Sequence, residues 1–207
     1  VHQTFRVPFY RFLRCLVKYY LPVITDAPQE IYDTFIKTMM FGEEHPQSEV
    51  GLLCVKTMNR FVKSMMNASV SVRGRFYGSH YIDVVIHAMK ITSDTAHKYA
   101  FDEQIDLLLS LFGARTPNLD LDVVASALCN EFPNRDPGDV YGFLTALKQS
   151  INNKGNFKAC MRDFLILSRR VGEDDPDLYK AEVKLAQLKQ EEELKKAAGY
   201  VHITAKL

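Results

Sequence analysis

The stretch PFYRFLRCLVKYY, residues 8–20, decides the fold. Phe9, Phe12, Leu13, Leu16, Val17 and Tyr20 recur at i, i+3, i+4, i+7, i+8 and i+11, the spacing that lines one face of an α-helix. Pro8 sits in the first turn, where a missing N–H costs nothing. Leu121, Val124, Ala125, Leu128, Cys129 and Phe132 repeat the pattern. A third helical segment is expected from Thr95 to Phe112 through Phe101, Ile105, Leu108 and Leu109, with Gly113 at its end. No stretch shows the sustained two-residue alternation of a half-buried strand.

Aspartate and proline punctuate the joints. Asp26 before Ala27-Pro28, Asp136 before Pro137, and Asp175 before Pro176 read as N-caps followed by a proline in the first turn. Joints this short force consecutive helices antiparallel. Helical hairpins therefore open near Phe5, Gln47, Asp94 and Asp136, a repeat of roughly 42 to 47 residues, the period of HEAT and armadillo solenoids. The expected fold is all-α, a HEAT-repeat α-α superhelix over residues 1–172 with a C-terminal helix and tail over 173–207. Each hairpin of such an array leaves an apolar face that only its neighbours cover, which favours a scaffold presenting surface to other macromolecules. At the N-terminal end Phe9, Phe12 and Leu13 cannot all be covered by one following hairpin, and an uncovered end invites association.

The 207 residues are 47% hydrophobic and 25% charged, enough to bury a sizeable core, and the formal charge of +1 gives no global attraction to nucleic acid or an anionic membrane. Apolar runs are broken well short of a bilayer span and no charged-then-apolar signal segment opens the chain. Cys15, Cys54, Cys129 and Cys160 stand alone on helical positions without a CxxC pair and read as buried reduced thiols of a reducing compartment. His80 and His87 are seven apart on one expected helix, about 10 Å along its axis and too far for joint metal ligation, so structural or surface roles are expected.

The motifs HExxH, GxSxG, GxxxxGK[ST] and GxGxxG are missing, and Arg73-Gly74-Arg75-Phe76-Tyr77-Gly78 lacks the strand that precedes a phosphate loop. No catalytic, cofactor-binding or metal-binding residue is assigned. Tyr19-Tyr20 and Phe76-Tyr77 beside Arg73 and Arg75 suggest base stacking, but aromatics at helix spacing are more commonly solenoid core. From Asp175 to about Ala198 the chain reads as one long helix with sparse leucines, Leu178, Leu185, Leu188 and Leu194, and the acidic run Glu191-Glu192-Glu193. It serves either as a polar cap of the array or as an element that docks reversibly through those leucines.

Met161-Arg162-Asp163-Phe164-Leu165-Ile166, then Gly172-Glu173-Asp174 and Asp177-Leu178-Tyr179, resemble the C-terminal region of the exportin-1 family of nuclear export receptors, in the karyopherin (importin-β) superfamily. Glu131-Phe132-Pro133 with Asp139-Val140-Tyr141-Gly142-Phe143, the run Phe5 to Tyr20 with Leu21-Pro22, and Thr92-Ser93-Asp94-Thr95-Ala96-His97 extend the similarity over nearly all of Phe5 to Leu188. The resemblance implies the last HEAT repeats of a receptor that shuttles between nucleus and cytoplasm through the nuclear pore. Its implied partners are the small GTPase Ran in its GTP state, export-signal cargo bound through repeats upstream of this stretch, and nucleoporins, with no direct nucleic acid, membrane or cofactor. It also implies that the terminal helix modulates cargo affinity, which favours docking over capping for Leu178, Leu185, Leu188 and Leu194. The family's acidic tail is replaced here by Lys195-Lys196 and Lys206, and a start at Val1 fits a fragment. The alternative readings are another HEAT-repeat scaffold or an importin-type adaptor.

Overall fold

A computed structural model describes residues 5–113 and 120–169. Ten α-helices follow one another among them: α1 Arg6–Tyr19, α2 Leu21–Thr25, α3 Gln29–Glu43, α4 Ser48–Met66, α5 Val70–Ser79, α6 Tyr81–Ser93, α7 Phe101–Gly113, α8 Leu121–Glu131, α9 Pro137–Gln149 and α10 Lys154–Arg169. There is no strand among the described residues. The fold is all-α with HEAT-type helix stacking. Two compact units divide the chain, Val1–Met161 and Arg162–Leu207. In the second, Arg162 holds Asp163 at 2.6 Å, and Phe164 and Leu165 are buried.

In the first unit α4 is the central helix, packed on α1, α3 and α7, while α6 packs on α7 and α8, and α8 on α9. Its central place follows from its residues. Val50, Leu53, Cys54, Val55, Met58, Phe61, Val62 and Met65 are all buried, too wide an arc for a surface helix. Phe61 is the hub of an aromatic cluster, its ring 6.3 Å from Tyr32, 5.4 Å from Phe35 and 5.5 Å from Phe76. The start of α10 joins α7 by polar contacts at the surface and an aromatic one beneath: Lys154 to Asp106 at 2.5 Å, Lys158 to Asp102 at 2.8 Å, and Phe157 against Phe112.

Several joints depart from the sequence expectation. Asp136 does cap α9, accepting from the Gly138 N–H at 2.7 Å ahead of Pro137. Asp26 does not cap α3; it closes the extra short helix α2, and Pro28 precedes α3 with no side-chain cap. The joint is ordered from outside. Arg75 on α5 donates to the carbonyls of Thr25 and Ala27, both at 2.8 Å, and to Gln29 Oε1 at 3.0 Å, with its guanidinium 4.2 Å above the Tyr32 ring. Burial pushes the Tyr32 phenol up to about 12 although Arg75 pulls the other way. Arg75 is thus occupied as a structural clip and Phe76 lies in the core, which answers the base-stacking question for that pair.

His80 and His87 do not share a helix, because the chain breaks between α5 and α6 at His80. The His80 ring is drawn to Asp33 on α3, 2.8 Å away. Desolvation would raise the Asp33 carboxyl, yet the hydrogen bonds from His80 and Gln29 hold it below its usual range. The segment expected to be helical from Thr95 begins as a 3₁₀ turn over Thr95–Ala100, tightened by Asp94 accepting from the Ala96 N–H at 2.9 Å and facing His97 at 3.1 Å. The cysteines also differ from expectation: all four are free, but only Cys54 is buried, Cys15 is exposed, and Cys129 and Cys160 are half-buried.

Candidate interaction surface

The face of α1 and α3 turned away from α4 is apolar and uncovered. Phe5, Phe9, Phe12, Val23, Ile31 and Phe41 are exposed, Phe12 by 58% and Phe41 by 68%. The stripe read from residues 8–20 therefore splits: Leu13 and Val17 join Tyr10 in the core, while Phe9, Phe12 and Tyr20 face out. The expectation that Tyr19 and Tyr20 are core aromatics is overturned, since both are about three-fifths exposed and Tyr19 carries the Lys18 ammonium 4.4 Å from its ring centre. Apolar residues on two sides of one helix are what an internal helix of a stack requires, because it packs forward and backward.

Two adjoining grooves run along this face. One, of about 640 Å³, lies among Phe5, Phe9, Tyr10, Thr38, Phe41 and Pro46 with Arg6, Glu44 and His45 at its polar edge. The other, of about 290 Å³, lies among Phe9, Leu16, Val23, Ile24, Ile31 and Phe35. Phe9 and Thr38 line both, so the two form a single furrow between α1 and α3 divided by the Phe9 ring. Ridge-into-groove packing of another helical hairpin needs such a furrow. At the edge, the His45 Nδ1 accepts from the Gln47 N–H at 3.0 Å and its Nε2 lies 2.7 Å from Arg6.

Beneath the furrow, helix packing brings together a polar junction that sequence reading missed. Gly42 permits close approach of α1, α3 and α4: a methyl there would fall 2.5 Å from Cys54 Sγ and 2.6 Å from the Tyr10 ring. Next to it Glu43 is fully buried in the last turn of α3, where the helix dipole already disfavours a carboxylate. His87 on α6 sits 3.2 Å from Glu43 and 3.6 Å from Glu44. The first contact is close enough for attraction but off-angle for a hydrogen bond, and Glu43 Oε1 lacks a hydrogen-bond partner among the described residues. Burial raises the Glu43 carboxyl above its ordinary value against the pull of His87, and Glu44 adds to the rise. Burial also pushes up the neighbouring Cys54 thiol, helped by Glu43.

A carboxyl raised by folding contributes stability that is fully present below its ordinary value and lost as the pH climbs through the raised one. Glu43→Gln keeps the shape and removes the titration. It is expected to be more stable than the parent at pH 7, with the gap closing as the pH falls toward the usual glutamate range. Thermal unfolding of both proteins across that pH series checks it, and a parent that gains no ground on the variant in acid refutes it.

Among the described residues no group of three or more His, Cys, Asp and Glu could hold a metal ion, and no helix is long and apolar enough to cross a membrane. Leu178, Leu185, Leu188 and Leu194 lie outside the described residues.

Stacked helix pairs with an open packing furrow and an array-type core define an α-solenoid segment. The family model described as CRM1 C terminal matches residues 2–173, and the chain belongs to that family. It is 25% identical over 212 residues to Protein EXPORTIN 1B of Arabidopsis thaliana, 22% over 194 residues to Exportin-1 of Schizosaccharomyces pombe, and 23% over 196 residues to Exportin-1 of Drosophila melanogaster. These alignments take in 90%, 84% and 87% of this chain and 19%, 18% and 18% of the respective relatives. The chain spans about a fifth of the length of the curated relatives it matches.

Proposed function

We infer that this chain works as the C-terminal repeats of a nuclear export receptor, which carries leucine-rich export-signal cargo out of the nucleus together with Ran in its GTP state. The observation that carries the reading is the family match over residues 2–173, joined by relatives named as exportins. The uncovered α1–α3 furrow supports it, as the seat of a further helical hairpin in a receptor of the relatives' length. The mechanism is binding linkage: Ran and cargo favour one shape of the solenoid and so favour one another, with no chemical step. In this reading the receptor shuttles through the nuclear pore in contact with nucleoporins.

The segment from Glu173 onward is proposed to compete with that shape through Leu178, Leu185, Leu188 and Leu194. A full receptor containing this chain, its truncation before Glu173, and Leu178→Ala/Leu185→Ala/Leu188→Ala are compared for export-signal peptide affinity with and without Ran-GTP. The truncation is expected to tighten peptide binding by up to about 1–3 kcal/mol, and the triple variant to reproduce much of that gain because alanine preserves helix propensity. Ran-independent peptide binding overturns the export reading, whereas identical affinities in all three proteins overturn only the regulatory role of the segment.

A further inference from the structure

The chain's charge is nearly balanced overall but sharply segregated in space. Helices α1 and α4, packed side by side, carry Arg6, Arg11, Arg14, Lys18, Lys56, Arg60 and Lys63 against a single acid, Glu49. On α1, Arg11, Arg14 and Lys18 fall within an arc of about 60°, on the flank away from exposed Phe9 and Phe12. Arg11 fixes which way that flank looks, because it reaches Glu49 on α4 at 2.8 Å. On α4, Lys56, Arg60 and Lys63 fall within a similar arc of about 60°, all three exposed. The α1 arc therefore lies beside α4 at Glu49, while the α4 arc faces solvent with Lys56 reaching Glu103 of α7.

Along α4 this surface forms an open groove of about 630 Å³ lined by Lys56, Arg60 and Lys63 with Asn59, Ser64 and Asn67. Lys56 is engaged with Glu103 of α7 at 3.2 Å, and Asn59 accepts from Ser110 at 2.7 Å. Among the described residues, Arg14, Lys18, Arg60 and Lys63 are paired with no carboxylate. Four exposed cations on adjoining helices, matched by no carboxylate of their own, make this surface locally positive and attractive to an anionic partner.

We propose that the exposed basic face of α4, flanked by the basic arc of α1, is a docking surface for an acidic protein segment, an amphipathic helix carrying carboxylates at i, i+4 and i+7 to match Lys56, Arg60 and Lys63. The spacing of the cations is that of one helix face, and Asn67 and Ser64 add neutral polar edges. A continuous polyanion fits less well. The next helix in the row, α7, has no basic residue, and its Asp102, Glu103 and Asp106 already hold Lys158, Lys56 and Lys154, so a nucleic-acid backbone crossing the row would find no continuing track of free cations. Attraction of this kind governs encounter rate and partner choice and weakens with salt.

The test uses the whole chain and a helical peptide of about 20 residues bearing glutamates at that spacing, with its glutamine counterpart as control, in fluorescence anisotropy. The glutamate peptide is expected to bind at low salt and to lose affinity as salt rises, while the glutamine peptide does not bind. Arg60→Glu/Lys63→Glu is expected to weaken binding about tenfold or more and to bind the lysine version of the peptide instead. These positions are exposed, so thermal unfolding should be unchanged and the loss is not one of folding. Absence of binding at low salt, equal binding of the glutamine peptide, or indifference to the double substitution overturns the proposal. So does tighter binding of a single-stranded oligonucleotide that the same substitutions abolish, since the surface would then belong to nucleic acid.

Discussion

Phe61→Ala is expected to cost about 3–5 kcal/mol. Phe61 is fully buried and touches three other rings, from α3 and α5, so its loss empties the point where four aromatic side chains meet. Collapse to fill that space is restrained on two sides. Tyr32 is held under the Arg75 guanidinium, and Arg75 is itself bonded to the α2–α3 joint. A shift of the Tyr32 ring would therefore disturb charge-assisted hydrogen bonds of about 1.5–3 kcal/mol each. The measurement is urea unfolding, where the midpoint should fall with the slope unchanged, accompanied by a drop in Tm of roughly 6–20 °C. A loss below about 1 kcal/mol would show that the neighbours close the cavity and that the cluster is softer than its geometry says.

Gly42→Ala is the second. Two terms oppose each other at this position. Alanine favours the helix by about 1 kcal/mol over glycine, but the added methyl overlaps both Cys54 Sγ and the Tyr10 ring. Both neighbours are buried and belong to different helices, so the overlap is relieved only by separating α3 from α1 or α4. Overpacking of this sort typically costs about 1–3 kcal/mol and more where backbone must move. A net loss of about 2 kcal/mol is expected. Cys54→Ala supplies an internal check, since it removes the sulfur that the methyl meets first. In the double variant the penalty of Gly42→Ala should shrink, a coupling that a thermodynamic cycle measures directly. Strict additivity would place the strain at Tyr10 alone.

Gly51 carries a related constraint with a smaller consequence. A side chain there would run into the Tyr99 hydroxyl, but Tyr99 is more than a third exposed and can swing aside. The contrast between the two glycines illustrates how burial of the neighbour, and not proximity alone, sets the cost of a close approach.

Helical class was legible because it rests on local periodicity. The spacing of Leu121, Val124, Ala125 and Leu128 needs no partner to be read, and three of those residues, Val124, Ala125 and Leu128, are buried on α8. Asp136-Pro137 was legible for the same reason, since the cap and its N–H are two residues apart. Asp120, which caps α8 through the N–H groups of Asp122 and Val123, carries the same signal ahead of Leu121. Asp26-Ala27-Pro28 looks alike in sequence and behaves differently, because its joint is ordered by Arg75 from about fifty residues away. The break at His80 has a similar cause in Asp33.

The candidate surfaces divide along the same line. That residues 8–20 carry more apolar side chains than one following hairpin can cover follows from the sequence itself, as does the count of basic residues in α1 and α4. Which of those side chains face out was decided by packing: Tyr10 turned inward beside Gly42, Phe9 was left to the furrow, Phe12 to solvent, and the cations of α4 to its exposed face. Periodicity gives the arc of a helix that is apolar but not its rotation against neighbours, since rotation is chosen by volume and close contact across helices far apart in sequence. The Glu43–His87 junction is the limiting case. Two ordinary residues 44 positions apart acquire their chemistry only because α3 and α6 bury them together, and burial is a property of the assembled fold.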